Sequence, residues 1–119
     1  MAMHNDTGKL GEELAAVYFE KLGYLILHKN WRHKNKEVDI IASHKNILHF
    51  IEVKTVTTLK FGHPEEKVDS KKIKYLIDAS EEFLYENPQW HRIQFDVLSI
   101  TMIRNSEIKY FLIEDVYES

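Results

Sequence analysis

The chain contains no cysteine. That excludes disulfides, thiolate metal ligands and a cysteine nucleophile, and it suits a reducing compartment. No apolar run approaches the roughly 20 residues that span a bilayer, and the first seven residues, Met-Ala-Met-His-Asn-Asp-Thr, lack the apolar core of a signal peptide. A cytoplasmic protein without membrane contact is the expectation. Repeats, low-complexity tracts and linkers are also missing, so residues 1–119 read as one domain. With 44% hydrophobic and 29% charged residues, the composition is that of an ordinary globular protein.

A net positive charge is missing too. The formal charge is −3, which by itself argues against a polyanion partner. The average conceals an asymmetry, because residues 1–74 hold 13 Lys/Arg against 10 Asp/Glu and residues 75–119 hold 3 against 9. The stretch His28–Lys36 carries Lys29, Arg32, Lys34 and Lys36 with no acid, and Lys67, Lys71, Lys72 and Lys74 form a second cluster. A local basic face attracts phosphate even on an acidic chain; a solvated surface is the plainer account of such clusters.

Periodicity predicts a helix over Thr7–Leu22, capped by Asp6 or Thr7 and stopped at Gly23. Tyr24–His28, Val38–Ser43 and Ile47–Val56 read as strands, the last two joined by a short turn at His44-Lys45-Asn46. Thr57–Lys67 reads as a loop. Asp69 or Ser70 starts a second helix that runs to Glu86 before Asn87-Pro88, with Ile73, Leu76, Ile77, Phe83 and Leu84 as its apolar stripe. Arg92–Ile103 and Ile108–Val116 are two further strands about a turn at Asn105-Ser106. The order α-β-β-β-α-β-β predicts an α/β fold with a central mixed sheet flanked by helices.

Two of these strands carry ionisable residues where a buried strand normally has none: Asp39 in the first, Glu52 and Lys54 in the second. Alternation puts Glu52 and Lys54 on one face, roughly 7 Å apart, with Val53 on the other. A hairpin centred on Lys45 would set Asp39 opposite Ile51, within one residue of Glu52. Two acids and a lysine brought together in this way match the needs of phosphodiester hydrolysis. Asp39 and Glu52, with the Val53 carbonyl, would hold Mg²⁺ or Mn²⁺, and Lys54 would face the attacking water or the scissile phosphate. The plainer account is an ion-paired cluster at a sheet edge, which stabilises little.

At these residues the sequence resembles a known pattern. Asp39 followed after twelve residues by Glu52-Val53-Lys54 is similar to the PD-(D/E)xK nuclease signature. Gly8-Lys-Leu-Gly-Glu12-Glu-Leu-Ala15, Gly23-Tyr24, Asn30-Trp31-Arg32, Glu37-Val-Asp39-Ile-Ile-Ala42, Phe50-Ile-Glu-Val-Lys54-Thr55, Phe61-Gly62, Lys72 and Phe95-Asp96-Val97 follow in order. Together they resemble the YraN-type family, small bacterial proteins of restriction-endonuclease-like fold with no firmly assigned activity. The spacing is also similar to that of archaeal Holliday-junction resolvases, whose first helix adds an acid to the metal site. The resemblance implies an endonuclease with Asp39 and Glu52 as metal ligands, Lys54 as the catalytic lysine and Glu12 as the auxiliary acid. DNA, branched or damaged, is the implied substrate, and a homodimer would cut two strands. Three departures stand out. Lys36 occupies a position that is often glycine, Val56-Thr57-Thr58 lacks the basic residue that often follows the Lys-Thr pair, and the first proline of the signature is absent.

Competing accounts exist for each further candidate. Glu12, or equally Glu13, suits the first turn of a helix as a complement to its dipole. Glu37 is either a solvated residue at the start of its strand or a support for Asp39. Lys29, Trp31, Arg32, Lys34 and Lys72 are candidate nucleic-acid contacts, Trp31 by stacking on a base; the alternative for Trp31 is a loop aromatic that packs back onto the core. The seven histidines match no zinc-ligand spacing, and His49 reads as a satisfied core histidine. Asp96, between Phe95 and Val97, is expected to play a structural hydrogen-bonding role. Two other functions fit the same residues less closely: a nucleic-acid-binding module with little chemistry, and a protein-interaction domain that docks through its acidic C-terminal part.

Overall fold

A computed structural model of the chain describes residues 3–58 and 70–117, with side chains from residue 8 onward. Helix α1 (Met3–Lys21) is followed by strands β1 (Leu25–His33), β2 (Lys36–His44) and β3 (Ile47–Val56), helix α2 (Ser70–Glu86) and strands β4 (Ile93–Thr101) and β5 (Lys109–Ile113). The α/β class and the α-β-β-β-α-β-β order are as the sequence predicts. The five strands form one mixed sheet in the order β1-β2-β3-β4-β5, antiparallel throughout except for the parallel pair β3–β4. A parallel pair needs a crossover connection, and α2 lies within it.

Each helix covers one face of the sheet. Ala15 and Phe19 of α1 pack with Tyr24, Ile40, Ala42, Ile51, Leu98 and Ile100. Leu76, Ala79 and Phe83 of α2 pack with Val38, Ile41, Leu48, Phe50 and Phe95. The α2 spacing of three, four and seven residues is that of a one-sided apolar stripe. Helix α1 ends where Gly23 takes φ +94. Tyr24 N–H donates to the Phe19 carbonyl and Gly23 N–H to the Glu20 carbonyl, both at 3.0 Å. These are the paired bonds of a Schellman stop, whose left-handed position favours glycine.

Several boundaries differ from the sequence reading. Helix α1 begins at Met3, so the expected caps Asp6 and Thr7 lie within it and do not start it. Strand β1 runs on to His33, so Asn30-Trp31-Arg32 lies in a strand and not in a loop, and the chain turns back at Lys34-Asn35. The reason is the irregularity of β1, which carries a register shift between Ile26 and His28 and a left-handed Asn30 (φ 55). Strand β2 starts early, at Lys36, opposite His33. Strands β4 and β5 are shorter than expected at both ends. The β2–β3 turn has φ 52 at Lys45 and 66 at Asn46, which is type I′ geometry. It sets Ile40, not Asp39, opposite Ile51. The candidates Lys67 and Asp69, and the predicted loop from residue 59 on, lie outside the described residues.

Candidate active site

Strands β2 and β3 stay paired from the turn back to Ile40 and Ile51, and the ladder stops there. One step further, Asp39 and Glu52 occupy opposed positions where the strands fork, and both line one cleft. Val38 and Ile41 both pack on the α2 layer while Ile40 packs on the α1 layer. The two-residue alternation of a strand is therefore broken once between residues 38 and 41. The break falls at Asp39, level with the left-handed Asn30 of the neighbouring strand. In consequence the Asp39 carboxylate lies between the strands, where its Oδ2 accepts the Val53 N–H at 2.8 Å. That bond replaces the ladder bond lost at the fork. The N–H and C=O of one strand residue face the same neighbour, so the Val53 carbonyl is turned to the fork as well.

Helix α1 supplies a third acid. A Cβ on Gly11 would run into the Thr55 Oγ1, and its absence lets the helix lie this close to β3. The approach sets Glu12 against the fork. The resulting cleft, of about 520 Å³, is lined by Gly8 and Glu12 from α1, Glu37 and Asp39 from β2, Glu52, Val53 and Thr55 from β3, and Lys71, Lys72 and Tyr75 from α2. Four carboxylates thus share one cleft. Burial, together with the charges of Glu52, Glu12 and Glu37, pushes the Asp39 carboxyl from 3.8 up to about 7, against the opposing effect of the Val53 N–H.

Cations answer these acids. Lys72 Nζ lies 3.3 Å from Glu52 Oε2, and Arg32 donates to Glu37 at 3.2 Å. Lys71, Lys72 and Tyr75 share one face of α2 by their helical spacing. Tyr75 was not legible as a site residue. Its hydroxyl donates to the Asn35 carbonyl at 2.9 Å and pins the β1–β2 turn to α2. Lys36 Nζ lies 5.6 Å from the centre of the Tyr75 ring and 4.0 Å from Asp78. A glycine at position 36 would make neither contact.

The structure brings together Glu12, Glu37, Asp39, Glu52, Val53 and Lys72. Lys54 shares the α2 face of β3 with Glu52 and is half-buried, but it does not line the cleft. Lys29 and Lys34 are exposed on β1 and its turn. Trp31 packs against Phe83, with ring centres 5.5 Å apart, which is the packed-back alternative for this residue. Glu13 is exposed and outside the cleft. Away from the fork, Asp96 Oδ2 receives His49 Nδ1 at 2.7 Å, and Asp96 Oδ1 receives Gln94 Nε2 at 2.8 Å and the Asp115 N–H at 2.9 Å. Both Asp96 and His49 are buried, so the expected structural aspartate and satisfied core histidine prove to be partners.

Among the described residues no three His, Asp or Glu side chains converge tightly enough to hold an ion by themselves. Mg²⁺ seldom asks for that many, since it keeps several waters and takes one or two carboxylates. Asp39, Glu52 and the Val53 carbonyl offer a set of that size, all hard oxygens, in a cleft crowded with negative charge.

Comparison with known proteins identifies the chain. Residues 11–100 match the profile of the uncharacterised protein family UPF0102. The chain belongs to this family. A UPF0102 protein of Flavobacterium psychrophilum is 40% identical over 117 residues, 98% of each chain. One from Flavobacterium johnsoniae is 46% identical over 104 residues, covering 84% of this chain and 85% of its own. One from Phocaeicola vulgatus is 40% identical over all of this chain and 95% of its own. The UPF0102 match begins at Gly11, the residue that lets α1 approach β3, and ends at Ile100 in β4, so it takes in every cleft-lining residue except Gly8. No helix among the described residues of this UPF0102 chain is long and apolar enough to cross a membrane.

Proposed function

We propose that this protein is a divalent-metal-dependent endonuclease that hydrolyses phosphodiester bonds in DNA. The observation that carries the reading is the fork, where Asp39 accepts the Val53 N–H and shares one cleft with Glu52 and Glu12. Four carboxylates gathered in one cleft repel one another, and the repulsion raises the Asp39 carboxyl; a site of that kind is a functional candidate. Asp39, Glu52 and the Val53 carbonyl would hold Mg²⁺ or Mn²⁺, with Glu12 of the same cleft as the auxiliary acid. The bound ion supplies a water of lowered pKa and a counter-charge for the phosphoryl oxygens. Lys54, two residues beyond Glu52, uses its long stem to orient the attacking water and stabilise charge on the phosphate. Arg32, Lys34 and Lys29 on the β1–β2 hairpin attract the flanking backbone.

Purified protein with Mn²⁺ is to be incubated with single-stranded, duplex, flap and four-way-junction DNA. Cleavage of at least one substrate, abolished in Glu52→Ala, is expected. No cleavage, or cleavage that survives Glu52→Ala, refutes the reading. A second reading, a nucleic-acid-binding module with little chemistry, draws on the position of Lys54 outside the cleft lining. Salt-sensitive DNA binding without metal-dependent cutting would select it. A second copy of the chain is the further partner proposed. It would add along β5, a strand at the sheet edge whose Tyr110 and Phe111 are exposed.

A further inference from the structure

We infer that Lys72 is an exchangeable counter-ion. It neutralises Glu52 while the acid cluster holds no cation, and a divalent ion bound at the fork releases it onto a phosphate of the substrate. The inference rests on the proposed reading of the cleft as a metal-dependent phosphodiesterase site.

The two halves of the Lys72–Glu52 pair are unlike. The side chain of Glu52 is 20% exposed and is fixed on β3 at the fork, whereas that of Lys72 is 66% exposed and reaches over from the first turn of α2. The ammonium therefore rests on the acid from the solvent side, 3.3 Å away, on a flexible stem. An ion pair with so exposed a partner is weak and screened by salt, so a dication can displace it at small cost. Once the ion sits between Asp39 and Glu52, two like charges would share one carboxylate, and Coulomb repulsion drives the ammonium outward. Lysine suits the second position as well as the first, being a compact charge with three rotatable donors that binds phosphate without a fixed geometry. Lys71 and Tyr75 line the same wall of the cleft, so the released ammonium stays at its mouth. The exchange would couple the two loading steps. Without metal the acids repel a polyanion and Lys72 is occupied; with metal the repulsion falls and a cation becomes available.

The test compares wild type with Lys72→Gln and, as a control on the same helical turn, Lys71→Gln. Mn²⁺ is titrated calorimetrically without nucleic acid. Binding of a labelled duplex oligonucleotide is then followed by anisotropy across a KCl series, once in Ca²⁺ and once in EDTA. The expected result is that Lys72→Gln tightens Mn²⁺ binding by up to about fivefold, the equivalent of one exposed ion pair, and by more than Lys71→Gln does. In Ca²⁺ the same variant lowers the slope of log affinity against log salt by about one, and in EDTA it leaves the slope unchanged. Equal slope losses with and without Ca²⁺, or unaltered Mn²⁺ affinity, overturn the exchange and leave the metal site standing. A wild type that binds neither Mn²⁺ nor oligonucleotide overturns both.

Discussion

Asp39 is under strain that a cation would relieve. Its folded-state pKa of about 7 lies above the unfolded value of 3.8, so the folded protein holds the Asp39 proton more tightly than the unfolded chain does. Below about pH 4 both states are protonated and the residue costs nothing. As pH rises towards 7 the cost grows, and above 7 it is complete, up to about 4 kcal/mol at about 1.4 per unit. Asp39→Asn removes the charge and keeps an oxygen for the Val53 N–H. In EDTA it is expected to raise the melting temperature at pH 8 and to leave it unchanged at pH 4; calorimetry at the two pH values checks this. Asp96, by contrast, is fully partnered. It is buried with three donors, so Asp96→Ala strands His49 and is expected to lose about 3–5 kcal/mol in urea unfolding. The sequence marked Asp96 and His49 separately as buried polar residues. Their contact, 47 positions apart, depends on the parallel β3–β4 register, which no local pattern encodes.

At the scale of elements, legibility followed regularity. Strand β3 matched its predicted ends because Ile47–Val56 is a near-continuous apolar run entered from a tight turn. Strand β1 outruns its sequence signal because Lys29, Asn30, Arg32 and His33 are polar and its alternation is broken twice. The β2–β3 register differs by one residue from a turn centred on Lys45, since the type I′ turn places Lys45 and Asn46 together at the tip. Glu12 was read from resemblance alone; the cause is physical and sits one residue earlier. Gly11→Ala would force α1 away from Thr55, an overpacking expected to cost about 1–3 kcal/mol and to move Glu12 from the fork. Gly11→Ala with Thr55→Ala removes the clash and is expected to recover most of the loss. Thermal unfolding of the two singles and the double measures the recovery, and additivity would argue against the close approach.

For the whole molecule, α-β-β-β-α-β-β with one parallel pair sets two helices on opposite faces of a sheet and lets both reach the fork from its open end. That arrangement was legible as a class. The meeting of both helices at one cleft was not, because Glu12, Asp39, Glu52 and Lys72 come from four elements. A ligand held by several elements stabilises the fold as a unit. Mn²⁺ at 100 times its dissociation constant is expected to add about 2.7 kcal/mol to unfolding, with the gain lost in Asp39→Asn and Glu52→Ala. Thermal denaturation over a Mn²⁺ series reads this without any nucleic-acid substrate.

The two short turns at Lys34-Asn35 and Lys45-Asn46 have a consequence in time. They make β1, β2 and β3 a local meander, which closes over short stretches of chain, whereas β4 must find β3 through the crossover that contains α2. Local contacts form before distant ones because loop closure costs less. During folding, the Asp39–Val53 contact is therefore expected to precede the docking of Lys72. An early intermediate or transition state would carry the acids without their lysine. Divalent ions should then accelerate folding as well as slow unfolding, and a rise in the refolding rate with Mn²⁺ in stopped-flow experiments, absent in Asp39→Asn, would place the fork in the folding nucleus.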